Sequence, residues 1–271
     1  MAQDPDLDIV EAIYDALDGE DPSLALDLAR DALQRDGEDD PVLHFLAGVA
    51  LLDLDRPDEA AEALGRASEL DPEDADFRTD LALALFRCCR FEDAEREADA
   101  ALEADRKLPD AHHVLALLVE RRGDLERADR HFARASELAP DRFPAVVRLG
   151  REEFERRLAH ARDMLPAGFR EHLDRVSLIV DDVPSDDVLL AETPHLDPEL
   201  LGLFRGVPLD HQSTFERGGE LPAAIHLFRR NIERYATDAD DLAEQITITL
   251  YHELGHYLGM EEDDLEDLDF G

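Results

Sequence analysis

The chain has 271 residues, of which 44% are hydrophobic and 35% charged; this is length enough for two domains and a composition that fits a soluble, helix-rich fold rather than a disordered one. Asp and Glu number 68 against 28 Lys and Arg, a formal net charge of −40, which argues against nucleic acid and anionic membranes as partners because both are gripped by clustered Lys and Arg. The longest apolar stretch, residues 42–52, is interrupted by His44 and falls short of the ~18 residues of a membrane span. Met1 to Val10 has neither the basic nor the apolar region of a secretory signal. Cys88 and Cys89 are adjacent, so no disulfide framework exists, and a cytoplasmic location is the expectation.

In the first half an internal register stands out. Asp58-Glu59-Ala60 with Ala67 recurs 34 residues on as Glu92-Asp93-Ala94 with Ala101, and again as Glu126-Arg127-Ala128 with Ala135. Upstream, Ala47-Gly48, Leu81-Ala82 and Leu115-Ala116 align in the same register. Alanine at such points lets two helices approach closely, where a larger side chain would push them apart. The period and pattern resemble the tetratricopeptide repeat, a helix-turn-helix of 34 residues, and Phe132 and Pro140 supply its second-helix aromatic and closing proline. Units are expected at 41–74, 75–108 and 109–142, with a degenerate one at about 6–40, so that 1–142 forms an all-α array. His44, Arg78 and His112 depart from a position usually aromatic, Arg106 replaces a proline, and Cys89 sits where a turn glycine is common. The resemblance implies a groove that holds a protein partner; Phe45, Val49, Thr79, Leu83, His113 and Leu117 are its candidate lining.

Arg142-Phe143-Pro144 breaks the register. Phe154, Leu158, Ala161 and Leu165 then run at helical spacing, and Val176–Val180, Leu200–Phe204 and Ala224–Phe228 read as short strands of a small sheet. Gly218-Gly219 marks a loop between the last two. A long helix is predicted from the N-cap Asp238, with Leu242, Ile246, Leu250 and Leu254 as its buried stripe.

That helix carries His252-Glu253-Leu254-Gly255-His256. Imidazoles at i and i+4 share one helical face and suit a common tetrahedral zinc, and the intervening Glu253 is placed to accept a proton from water. Gly259 can end the helix in a left-handed cap, letting Glu262 return as the third ligand, with Asp264 or Glu261 as alternatives. Residues from 148 to 271 resemble the bacterial minimal zincin-like metallopeptidases on the string Tyr251 to Gly259 with Glu262, and on Leu201 to Gly206 and Ile225 to Phe228. The methionine turn of true metzincins has no counterpart after Glu262, an omission the minimal family shares.

The expectation is therefore a two-domain protein, an all-α repeat array followed by an α+β zincin-like domain with a small mixed sheet and an active-site helix. The resemblance implies a zinc peptidase in which His252, His256 and Glu262 hold the metal and Glu253 is the general base. An extended substrate is expected to add to the sheet along Ala224–Phe228, and His226, Tyr251 and Tyr257 are weighed as auxiliary donors or as packing. The alternative function is a repeat-based adaptor whose metal site is structural or a relic.

Overall fold

The structure is a computed structural model that describes residues 5–36, 39–191, 193–209 and 223–260. Its chain separates into two compact units, Met1–Ala145 with Leu189–Asp197, and Val146–Val188 with Pro198–Gly271.

The first unit is built of helical hairpins: α1 (Pro5–Asp18) with α2 (Pro22–Asp36), α3 (Pro41–Asp53) with α4 (Pro57–Leu70), α5 (Ala75–Arg87) with α6 (Phe91–Ala104), and α7 (Pro109–Arg121) with α8 (Leu125–Leu138). From α3 onward each first helix begins 34 residues after the last, and so does each second helix. Asp40 and Asp74 cap α3 and α5 by accepting from the second and third backbone N–H groups beyond them, and prolines open α3, α4 and α7, where a missing N–H costs nothing. Ala60, Ala94 and Ala128 are fully buried, as their spacing required. The close approach is tightest at Gly48, where a Cβ would stand 2.4 Å from Leu64 Cγ.

Of the candidate groove residues, Thr79 and Leu117 are buried, and Phe45, Val49, Leu83 and His113 are partly exposed. Cys89 takes φ 57 at the α5–α6 turn, the left-handed conformation for which glycine is the usual choice. Its thiol lies 3.9 Å from Leu196 O, and Leu196 N–H donates back to Leu189 O, so Leu189–Asp197 is folded onto this turn. Neither cysteine is in a disulfide. Burial and the neighbouring Asp58 push the Cys88 thiol up to about 12, leaving it protonated and inert.

The second unit contains α9 (Arg151–Met164), α10 (Ala167–Leu173), β1 (Ser177–Asp181), α11 (Asp186–Leu189, whose last residue packs with the first unit), β2 (Gly202–Arg205), β3 (Ala224–Phe228), α12 (Arg229–Tyr235) and α13 (Ala239–Leu258). Its sheet is mixed, in the order β1-β3-β2, with β1 parallel and β2 antiparallel to β3. Ala224–Phe228 is thus the central strand, hydrogen-bonded along both sides, and cannot accept a further strand; among the described residues β2 has the open edge on the α13 side of the order. The expectation that substrate adds to Ala224–Phe228 is corrected accordingly. An apolar run reads alike at a sheet's centre and at its edge, and only the pairing distinguishes them.

Alternation along the strands gives the sheet two faces. Leu178 and Val180, Ile225 and Leu227, and Gly202 and Phe204 share one face by register. On it lies the core, where Phe154, Leu158 and Ala161 of α9 meet Leu242, Ile246, Leu250 and Leu254 of α13. The loop Gly218-Gly219 lies outside the described residues.

Candidate metal centre

Helix α13 begins where the sequence placed it. Asp238 accepts from the N–H groups of Asp240 at 2.8 Å and Asp241 at 2.9 Å, and the Asp241 carboxylate reaches back to Thr237 N–H at 2.6 Å. The four-step stripe of Leu242, Ile246, Leu250 and Leu254 is fully buried and fixes the rotation of the helix about its axis. That rotation in turn sets the direction of the residues between. At the far end Gly259 has φ 85 and ψ 21, Gly259 N–H donates to His256 O at 3.1 Å, and Met260 N–H donates to Gly255 O at 3.0 Å. This is the left-handed cap that turns the chain away from the helix axis.

Near that cap the two imidazoles converge. His252 Nε2 and His256 Nε2 are 3.0 Å apart, with ring centroids at 4.7 Å and planes at 85°. Two nitrogens at 2.0–2.1 Å on a tetrahedral zinc stand about 3.3 Å apart, so the pair needs only a few tenths of an ångström to chelate a cation. Both rings are partly exposed, as ligands of a reachable metal must be, whereas Glu253 between them is only 7% exposed. The donor chemistry of the two histidines therefore fits zinc. Among the described residues no group of three His, Cys, Asp or Glu gathers; Glu262, with its alternatives Glu261 and Asp264, lies outside the described residues.

The strand β2 lies against this part of the helix. A Cβ on Gly202 would stand 2.7 Å from Thr249 Cγ2, 2.8 Å from Glu253 Cγ and 2.9 Å from Glu253 Oε1. Composition and periodicity marked Gly202 only as part of a strand; the available signal was a glycine inside a β pattern, which often records a close approach. Asn231, buried on α12, donates to Pro198 O at 3.0 Å and to Leu200 O at 2.8 Å, and so holds the segment entering β2 in place.

Of the residues weighed as auxiliary donors, His226 lies on the far sheet face and both tyrosines pack against the core. His226 belongs to the sheet face opposite α13, paired in register with Ile179 and Leu203, and its Nδ1 lies 3.0 Å from Asp181 Oδ2. Tyr257 is buried in the core beside Phe204. Tyr251 packs against the same core, its ring 6.0 Å from that of Phe169, and burial raises its hydroxyl above the usual tyrosine range.

The second unit also holds a buried ionic brace. Glu233 is fully buried and accepts from Arg229 Nη1 at 2.7 Å, Arg148 Nη1 at 3.3 Å and Leu149 N–H at 3.3 Å. Arg229 also donates to Asp182 Oδ1 at 2.9 and 3.1 Å and to Leu149 O at 2.9 Å. These bonds tie α12, which follows the central strand directly, to the segment leading into α9 and to the exit of β1.

Residues 173–271 match a family described as zincin-like metallopeptidase, and residues 10–75 and 51–118 match two models described as tetratricopeptide repeat. Among solved structures the chain is similar to MamA, with 20% identity over 46% of this chain and 73% of that one, at a TM-score of 0.41. It is also similar to YrrB, described as a TPR protein with an unusual peptide-binding site, with 25% identity over 48% of this chain and 66% of that one, at a TM-score of 0.42. Among the described residues no helix is long and apolar enough to cross a membrane.

Proposed function

We propose that this chain, in which tetratricopeptide repeats at residues 10–118 precede a zincin-like segment at residues 173–271, is a zinc-dependent peptidase. The repeats bring a protein substrate or partner to it. The observation that carries the reading is the convergence of His252 Nε2 and His256 Nε2 at 3.0 Å with a nearly buried carboxylate, Glu253, between them in sequence. A purely structural site has no use for that carboxylate.

His252 and His256 would hold the zinc, with Glu262 as the proposed third ligand. When bound, the metal supplies Lewis-acid polarisation of the scissile carbonyl and lowers the pKa of water from 15.7 towards about 7. Glu253 accepts the proton of the attacking water as the C–O bond forms, and returns it to the amine nitrogen as the C–N bond breaks. Its burial favours that role, because a carboxylate shielded from bulk water exchanges its proton with the reacting groups rather than with solvent. The open edge of β2 offers backbone groups to an extended peptide beside α13. Two free thiols fit a reducing, cytoplasmic setting.

The test is digestion of a broad peptide library by zinc-loaded protein, with and without a chelator, alongside Glu253→Gln. The reading expects cleavage that the chelator stops and that Glu253→Gln lacks while retaining its zinc. If neither protein cuts while residues 1–142 still capture a partner, the adaptor function replaces it.

A further inference from the structure

We infer that Gly202 is a positioning residue for Glu253, and that the missing side chain on β2 is what leaves the carboxylate its place against the strand. The inference rests on the peptidase reading for its catalytic consequence, although the contact itself is independent of it.

Glycine is a poor strand residue, with more backbone entropy to lose and no side chain to pack. Gly202 does not occupy a conformation that only glycine adopts, since it is absent from the positive-φ glycines, Gly123, Gly206 and Gly259. The reason for it is space. Three side-chain atoms of α13 lie within 3.0 Å of where a Cβ would be, closer than real Cβ contacts come, and two of them belong to Glu253.

The surroundings decide which atom would yield. Thr249 is buried and its Oγ1 donates to Gln245 O at 2.7 Å, which fixes its rotamer and therefore its methyl. The strand is fixed by its register on β3, Gly202 opposite Leu227, and by Phe228 N–H donating to Leu201 O at 2.8 Å. The helix is fixed by its four-residue stripe in the core. Turning Glu253 about its χ angles clears two of the three contacts, and a slight withdrawal of the edge strand β2 from the helix, with its register on β3 kept, clears the third at Thr249. A methyl group at position 202 thus displaces the carboxylate and leaves the backbone carrying His252 and His256 where it is. Metal binding and proton transfer, which Glu253→Gln separates by changing chemistry, are separated here by geometry with the carboxylate intact.

The experiment uses the full chain with zinc as the metal probe and fluorescein-labelled casein as the hydrolysis probe. Gly202→Ala is expected to keep one zinc per chain by elemental analysis and a KM within twofold of wild type, with kcat at least tenfold lower. Ile179→Ala, on β1 and the opposite sheet face, controls for loss of sheet stability and is expected to leave kcat within twofold. Melting of the zinc-free protein supplies a second readout. Gly202→Ala should lower Tm by several degrees in the wild-type background and by much less in Thr249→Ser/Glu253→Ala, where the opposing atoms are gone. An equal loss of Tm in both backgrounds overturns the contact, and an unchanged kcat in Gly202→Ala overturns the positioning role. Wild type that leaves casein intact counts against the peptidase reading alone, and the melting comparison then decides the placement of Glu253 unaided.

Discussion

His252 and His256 sit one helical turn apart on α13 with their Nε2 atoms 3.0 Å from each other, a separation set by a backbone that is anchored at both ends. Asp238 caps the start, Gly259 caps the finish, and the stripe between them is buried. The pair is therefore preorganised for one cation, which reduces the ordering that binding would otherwise require.

Glu261, Glu262 and Asp264, beyond the turn at Gly259, are the candidates to complete the site. With Glu262 as third ligand, Glu262→Ala is expected to weaken zinc binding by at least tenfold, and Glu261→Ala and Asp264→Ala by less than threefold. Competition titration against a chromogenic chelator measures all three. Equal losses in Glu261→Ala or Asp264→Ala would reassign the ligand.

In the repeat array two groups titrate in opposite senses. His112 Nε2–H donates to Arg106 O at 3.2 Å, and with both rings neutral its Nδ1 accepts from His131 Nδ1–H at 3.0 Å, a contact that protonation of both rings breaks. Burial, with His112, Arg127 and Arg130 nearby, lowers His131 to about 4 from the ordinary 6.5. The unfolded chain then binds more protons between those values, and the contribution is lost as pH falls through that window. Replacing His131 by Gln should flatten the stability profile between about pH 4 and 6.5, by on the order of 1–2 kcal/mol after allowing for partial exposure.

Asp80 behaves conversely. Burial, reinforced by Asp76 and Asp53 against the opposing Arg142, raises it from 3.8 to about 7. The folded state binds the extra proton, so stability is lost as pH rises from about 4 to 7. Asp80→Asn should raise the melting temperature at pH 8 and change it little at pH 4. Thermal melts across the range check both variants.

The ionic brace on α12 has a sharper cost. Burial raises the Glu233 carboxyl, and Arg229, Arg148 and Arg230 oppose that shift. Glu233→Gln leaves the buried Arg229 charge without its closest carboxylate and should destabilise the second unit by about 3–5 kcal/mol. Urea unfolding at pH 7 measures the loss, and a change below about 1 kcal/mol would show that Asp182 suffices to balance Arg229.

Most of the array and both ends of α13 were legible in the sequence because their causes are local. Ala60, Ala94 and Ala128 repeat at a fixed interval, Asp238 and Gly259 cap through their own neighbours, and i,i+4 spacing brings two imidazoles together in any helix. The sheet was legible only as three strands. Its order is a matter of pairing between segments some 45 residues apart, Ser177 with Ala224 for example, and no local pattern encodes which of three apolar runs is central. The face on which His226 lies was illegible for the same reason, since alternation divides a strand into two faces without saying which one meets the helix. Gly202 could be read as a strand glycine, but its partner Glu253 lies on α13, 51 residues further along, and only the packed structure joins them.

The metal content of purified, zinc-replenished protein after exhaustive buffer exchange, measured by elemental analysis for wild type and His256→Ala, tests the histidine pair most directly. One zinc per chain in wild type, and under a tenth of that in His256→Ala, is the predicted result. Wild-type protein that retains no stoichiometric zinc, or a variant that retains as much as wild type, would contradict it.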